Sequence, residues 1–139
     1  FKQKYKVTPD YWIKNKLDEN SNINLKDEVD KFVDWVSSRL QIKTKPKIIL
    51  SIDTEEAQQG HHTGQHTEGD NNIWVYIKNR NLVDILRTVA HELTHVRQGE
   101  LGMIQPGDSY PGSPIELLAD MVAGKVIKIY GKNNHYIFQ

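Results

Sequence analysis

There is no cysteine in this chain of 139 residues. That excludes a disulfide framework and any thiolate metal site, so a metal would have to be held by histidine and carboxylate. There is no surplus of charge of either sign: 18 lysines and arginines stand against 18 aspartates and glutamates. Nothing therefore points to nucleic acid or to an anionic membrane surface as a partner. No apolar run has transmembrane length, and no stretch reads as a signal peptide. Hydrophobic residues make up 37% of the chain. A chain of this length buries roughly two-thirds of its unfolded surface, enough for one core. The expectation is a single domain over residues 1–139, with no internal repeat and no linker.

What the chain does have is His91-Glu92-Leu93-Thr94-His95, a match to HExxH. Two histidines four apart on a helix are rotated by about 40° and separated by about 6 Å along the axis. Both imidazoles can reach one metal ion, and the glutamate beside the first histidine is turned toward a water on that ion. This is the zinc-hydrolase arrangement. The surrounding pattern supports a helix over about 81–98. Leu82, Leu86, Val89, Leu93 and Val96 form one apolar face. Asn81 is a fit N-cap, Asp84 completes a capping-box-like pair, and Gly99 marks the stop.

The rest of the chain organises around that helix. Residues 1–22 are polar and read as an arm that packs in part. Val29, Phe32, Val33, Val36 and Leu40 give a helix from Leu25 to Leu40, with Trp35 flanking its apolar face. Lys47 to Ile52 and Ile73 to Ile77 read as strands, and residues 53–71 between them as a loop. Ser113-Pro114 looks like an N-cap followed by proline at the first helical position. That last helix runs to about Tyr130 with Gly131 as its end. The tail His135–Phe138 is expected to pack as a strand or to lie loosely. The fold class is α+β, a small sheet packed on the HExxH helix and on a following ligand helix.

A catalytic zinc site needs three protein ligands and an open position. The metzincin continuation is absent, because Gln98 and Leu101 stand where its glycine and third histidine would be. The candidate third ligand is Glu116, with Asp120 one turn later able to accept the second ring N–H of a ligand histidine. Two readings compete. Ser113-Pro-Ile-Glu116 is also a capping-box sequence, so Glu116 could serve only its own helix. Asp108, in the loop after the second histidine, is the rival ligand.

HExxH followed by E-x-x-x-D on a later helix resembles the gluzincins, the thermolysin-like zinc metallopeptidases. The stretch Asn72 to Gly131, with Val83–Gln98 and Gly112-Ser-Pro-Ile-Glu116, is also similar to small phage-encoded metallopeptidases. The likeness covers under half the chain. It implies a minimal zincin-like fold, Zn2+ held by His91, His95 and Glu116, Glu92 as general base and Asp120 behind the ligands. It implies a peptide or protein substrate, peptidoglycan peptide among the options, and a host-cytoplasmic or virion-associated setting if phage-encoded. It also implies a strand at the cleft that pairs with an extended peptide, for which Ile73–Ile77 is the candidate. The chain departs from thermolysin in having no room for a helical domain as the far wall of the cleft.

A tetrahedral oxyanion needs a donor besides the metal. Tyr110, between the two metal helices, and His61, His62 and His66, in the loop before the second strand, are the candidates. Arg87 and Arg97 are expected to serve ion pairs or solvation. The competing reading is a non-catalytic metal-binding module with a structural or assembly role. Retention of Glu92 favours the peptidase, since a structural site needs no base and closes its fourth position.

Overall fold

The computed structural model of the chain describes residues 12–15, 18–55, 58, 63–67, 71–105, 107–108 and 110–138. The elements are β1 (Trp12–Asn15), β2 (Asp18–Asn24), α1 (Leu25–Arg39), β3 (Lys47–Ser51), β4 (Gly64–Thr67), β5 (Asn72–Tyr76), α2 (Leu82–Glu100), α3 (Pro114–Asn133) and a closing 3-10 turn, His135–Phe138. The architecture is mixed α and β: three long helices, a three-stranded sheet, and an antiparallel hairpin of β1 and β2.

α2 lies at the centre of the core. Its Leu86, Val89, Ala90 and Leu93 are fully buried, and it touches α1, α3, β4 and β5. α1 brings Leu25, Val29, Phe32 and Val36 to the same core, and β5 brings Ile73 and Val75. The Asn24 side chain accepts from the Asp27 backbone N–H at 3.0 Å and caps α1. Trp35 flanks the buried stripe of α1 and packs with Phe32 against the Tyr130 ring of α3.

Two polar clamps set where α2 sits. At its start Arg80 donates to the Tyr76 carbonyl at 2.7 Å, the Asp84 carbonyl at 2.9 Å and Thr88 Oγ1 at 2.6 Å, joining the end of β5 to the first turns of α2. At its end the Glu100 carboxylate accepts from the backbone N–H groups of Lys43 and Thr44 at 2.8 and 3.0 Å. Those bonds, led by the one from Lys43, hold the Glu100 carboxyl below its ordinary range. The opposite end of the molecule is closed by the 3-10 turn. Ile137 is fully buried there and the Tyr136 hydroxyl donates to the Glu28 carboxylate.

Several expectations are corrected. Trp12–Asn15 and Asp18–Asn24, mostly within the arm expected over residues 1–22, pair as an antiparallel hairpin. β2 reads Asp-Glu-Asn-Ser-Asn-Ile-Asn, a strand without apolar alternation. The 53–71 loop contains β4, whose Gly-Gln-His-Thr sequence likewise lacks the period-two signal. The tail is a 3-10 turn, neither strand nor loose end. Asn81 stands at the N-cap of α2, but its side chain makes no capping hydrogen bond. α2 runs past Gly99 to Glu100, and the chain reverses at Gly102, with φ of 70°. Gly131 lies inside α3, where a Cβ would stand 2.2 Å from the Phe138 ring. It is a packing glycine, not a terminator.

The sheet order is β3-β5-β4. β5 pairs in parallel with β3, Ile48 beside Ile73 and Leu50 beside Val75, and antiparallel with β4, Gly64 opposite Val75 and Thr67 opposite Asn72. The strand expected at the cleft edge, Ile73–Ile77, is therefore the central strand. With both its edges used, it cannot pair with an added peptide. β4 is the strand beside α2, and among the described residues it pairs on one side alone.

Candidate metal centre

α2 and α3 pass each other in opposite directions. Gln98 Nε2 donates to the Ile115 carbonyl at 3.1 Å, Glu116 meets His91 and His95, and Gly124 lies beside Arg87. Ala119 and Ala123, both buried, leave room for that approach. His91 and His95 stand one turn apart with their rings nearly perpendicular, 87° between planes and 4.7 Å between centroids.

Three ligand atoms converge. His91 Nε2 and His95 Nε2 are 3.1 Å apart, and Glu116 Oε1 is 2.9 Å from the first and 3.2 Å from the second. Two ligands about 2.0–2.1 Å from a tetrahedral ion lie about 3.3–3.4 Å from one another, so the triangle is close to that of a bound metal.

The donor and acceptor pattern around the triangle makes the same point. His91 Nδ1 lies 2.8 Å from Asp120 Oδ1, a carboxylate that only accepts, so this ring carries its proton on Nδ1. His95 Nδ1 lies 2.7 Å from Gln98 Oε1. Gln98 spends its amide N–H on Ile115, which fixes the orientation of the amide and places the second proton on His95 Nδ1. With Nδ1 of each ring spent on its own partner, both Nε2 atoms are left facing Glu116 Oε1, and these are the atoms that would meet a metal ion. His91, His95 and Glu116 together could hold a metal ion.

The competing roles for Glu116 separate here. Ser113 Oγ accepts from the Glu116 backbone N–H at 3.3 Å, which is half of a capping box. The other half is missing, because the Ser113 N–H goes to the Tyr110 carbonyl at 3.0 Å. The Glu116 carboxylate is turned to the histidines instead. Asp108 is occupied in its own loop, where Oδ2 accepts from the Gln105 N–H at 2.8 Å.

The triangle opens into a cleft of about 1270 Å³ between the helix pair and β4. Glu92 lines it and is 7% exposed. Burial raises its carboxyl above the ordinary range against the pull of His91 and His95, and Glu116 adds to the rise. β4 crosses close above this residue. A Cβ on Gly64 would stand 2.4 Å from Thr88 Cγ2 and 3.3 Å from Glu92 Cγ, so only glycine allows the approach. His66, two residues on, also lines the cleft, and its Nε2 is 3.1 Å from Asn71 Oδ1.

Tyr110 is not brought to the site. Its backbone carbonyl serves the turn into α3, and its side chain is 56% exposed and does not line the cleft. His61 and His62 lie outside the described residues. Arg97 is bonded to the Gln41 carbonyl at 3.2 Å, while Arg87 lines the cleft. Two features escaped the sequence reading. Gln98, 2% exposed, could have been found as a polar residue one turn beyond His95 on the inner flank of the helix. Nothing in the sequence of β4 signals its position.

No protein-family model, no curated protein and no solved structure matches this chain.

Proposed function

We propose that this chain is a zinc-dependent peptidase of gluzincin type on a minimal zincin-like fold. The observation that carries the reading is the convergence of two imidazole nitrogens and a carboxylate oxygen beside a buried glutamate in an open cleft. A bound zinc ion supplies Lewis-acid polarisation of a carbonyl and a lowered pKa for water. The donor set, two imidazoles and one carboxylate with no sulfur, suits zinc and leaves a position for substrate.

The remaining roles belong to the chain. Glu92, raised in pKa and facing the cleft, takes the water proton and delivers it to the leaving amine. Asp120 and Gln98 hold the His91 and His95 rings with Nε2 toward the ion. The outer edge of β4, without a strand partner among the described residues, offers backbone groups to an extended peptide lying along the cleft.

Glu92→Gln tests the reading. The amide cannot take a proton, and Glu92 is not one of the ligands. The variant is expected to keep one zinc per chain and to lose the chelator-sensitive cleavage of a peptide library that the unmodified protein shows. Zinc loading without cleavage by either protein would instead identify a metal-binding module without turnover.

A further inference from the structure

Among the described residues that line the cleft, Arg87 is the sole arginine or lysine. It stands one turn before His91 on α2, about 6 Å further along the helix axis. Other arginines have partners: Arg80 is tied to β5 and α2, Arg97 to Gln41, and Arg39 lies over the Trp35 ring. Arg87 has no hydrogen bond and no ion pair among the described residues. Across from it α3 places Gly124, whose missing side chain leaves open space. A Cβ there would come within 3.6 Å of Arg87 Nη1. The nearest acidic residue on that face of α3, Asp120, is turned to His91 at 2.8 Å.

We infer that Arg87 is a specificity-determining residue that binds a carboxylate of the substrate. The inference rests on the peptidase reading and names its substrate class. A guanidinium is a planar fork that matches a carboxylate with two parallel hydrogen bonds. The ion would sit between His91 and His95, about 9 Å from Arg87 along the helix axis. An extended chain advances about 3.3–3.4 Å per residue, so a peptide running along α2 with its scissile carbonyl at the ion would meet Arg87 about three residues away. The carboxylate belongs to an acidic side chain at that position or to the free C-terminus of a short peptide. Gly124 puts no side chain beside the guanidinium, so α3 offers it no carboxylate at that position.

Calorimetric titration of zinc-loaded Glu92→Gln protein gives the test, because it reads binding with the peptide uncut. The probes are acetylated pentaalanine as free acid, the same peptide as its amide, and the amide with one alanine replaced by glutamate. At least one carboxylate peptide is expected to bind about tenfold more tightly than the plain amide. Tighter binding of the free acid alone assigns the site to a C-terminus, and of the glutamate peptide alone to a side chain. Arg87→Ala and Gly124→Asp in the same background should each erase the difference, and Arg87→Lys should keep part of it. The inference is overturned if the amide binds as well as both acids. It is also overturned if the preference survives Arg87→Ala, since the carboxylate is then on the metal. Loss of zinc from Arg87→Ala with the preference intact overturns it too, by assigning the arginine to the support of Asp120. Cleavage by the unmodified protein is scored in parallel. A preference without cleavage refutes the peptidase reading and keeps the carboxylate site, and cleavage without preference does the reverse.

Discussion

On the helical side of the cleft, each of the two candidate ligand histidines is held by a second group: His91 by Asp120, and His95 by Gln98, itself bonded to the Ile115 carbonyl. On the β4 side, the approach to Glu92 is made by a glycine, and among the described residues the strand's one sheet partner is β5. A metal site needs side chains fixed to within a fraction of an ångström, which two packed helices provide. A surface that is to meet a peptide backbone needs an unpaired strand edge and little side-chain bulk, and among the described residues the outer edge of β4 has no strand partner and carries Gly64. On the proposed reading the helical wall would fix the ion and the strand wall would receive the substrate. Substitutions on the two walls should have separable effects.

The largest effect is expected at the helical wall. Glu116→Ala should abolish stoichiometric zinc binding, and Asp108→Ala should leave it intact, as read by metal content after gel filtration. The unmodified protein at free zinc a hundredfold above its dissociation constant gains about 2.7 kcal/mol of stability. The Glu116 variant should show no zinc-dependent shift of its melting temperature, and a shift of full size would return the carboxylate to a capping role. Next in size, Asp120→Ala and Gln98→Ala should each weaken zinc by about ten- to a hundredfold while the fold persists. Competition with a chromogenic chelator reads both. An unchanged affinity in Gln98→Ala would remove that residue from the supporting tier.

At the strand wall the expected effect falls on packing. Gly64→Ala forces a methyl against Thr88 Cγ2 and should cost about 1–3 kcal/mol in denaturant unfolding, with zinc stoichiometry kept. Thr88→Ser removes the opposing methyl, retains the hydroxyl bonded to Arg80, and should recover most of that loss in the double variant. Failure of the rescue would mean that β4 does not sit where the contact places it. The smallest effect is reserved for Gly131→Ala, remote from both walls. The Phe138 ring that it meets is 43% exposed at the chain end and can swing aside. The gain in helix propensity, up to about 1 kcal/mol, offsets the crowding, and zinc affinity should not change.

The helical wall was legible in the sequence because its signal is long and periodic. Nineteen residues of α2 repeat their apolar positions often enough to give the period, and the period alone puts His91 and His95 on one side. Glu116 was legible as a candidate but not as a ligand. Its spacing from Ser113 fits a cap as well as a metal, and it takes the path of the Ser113 N–H to Tyr110 and the turn of the carboxylate to His91 and His95 to tell the two apart. β4 was not legible. A four-residue polar strand is held by backbone bonds and by a close approach to α2, neither of which leaves a pattern in residue types. The central place of β5 was missed for the same reason, since strand order follows from β4. Gly99 and Gly131 misled because glycine terminates helices by its backbone freedom, and here both lie inside helices that continue past them.

X-ray absorption at the zinc edge tests the central claim most directly. The zinc-loaded chain should show one ion with two imidazole nitrogens and carboxylate oxygen at about 2.0–2.1 Å, and Glu116→Ala should lose the carboxylate contribution. A chain that keeps no zinc after dialysis, or an ion with fewer than two imidazoles, would contradict the account.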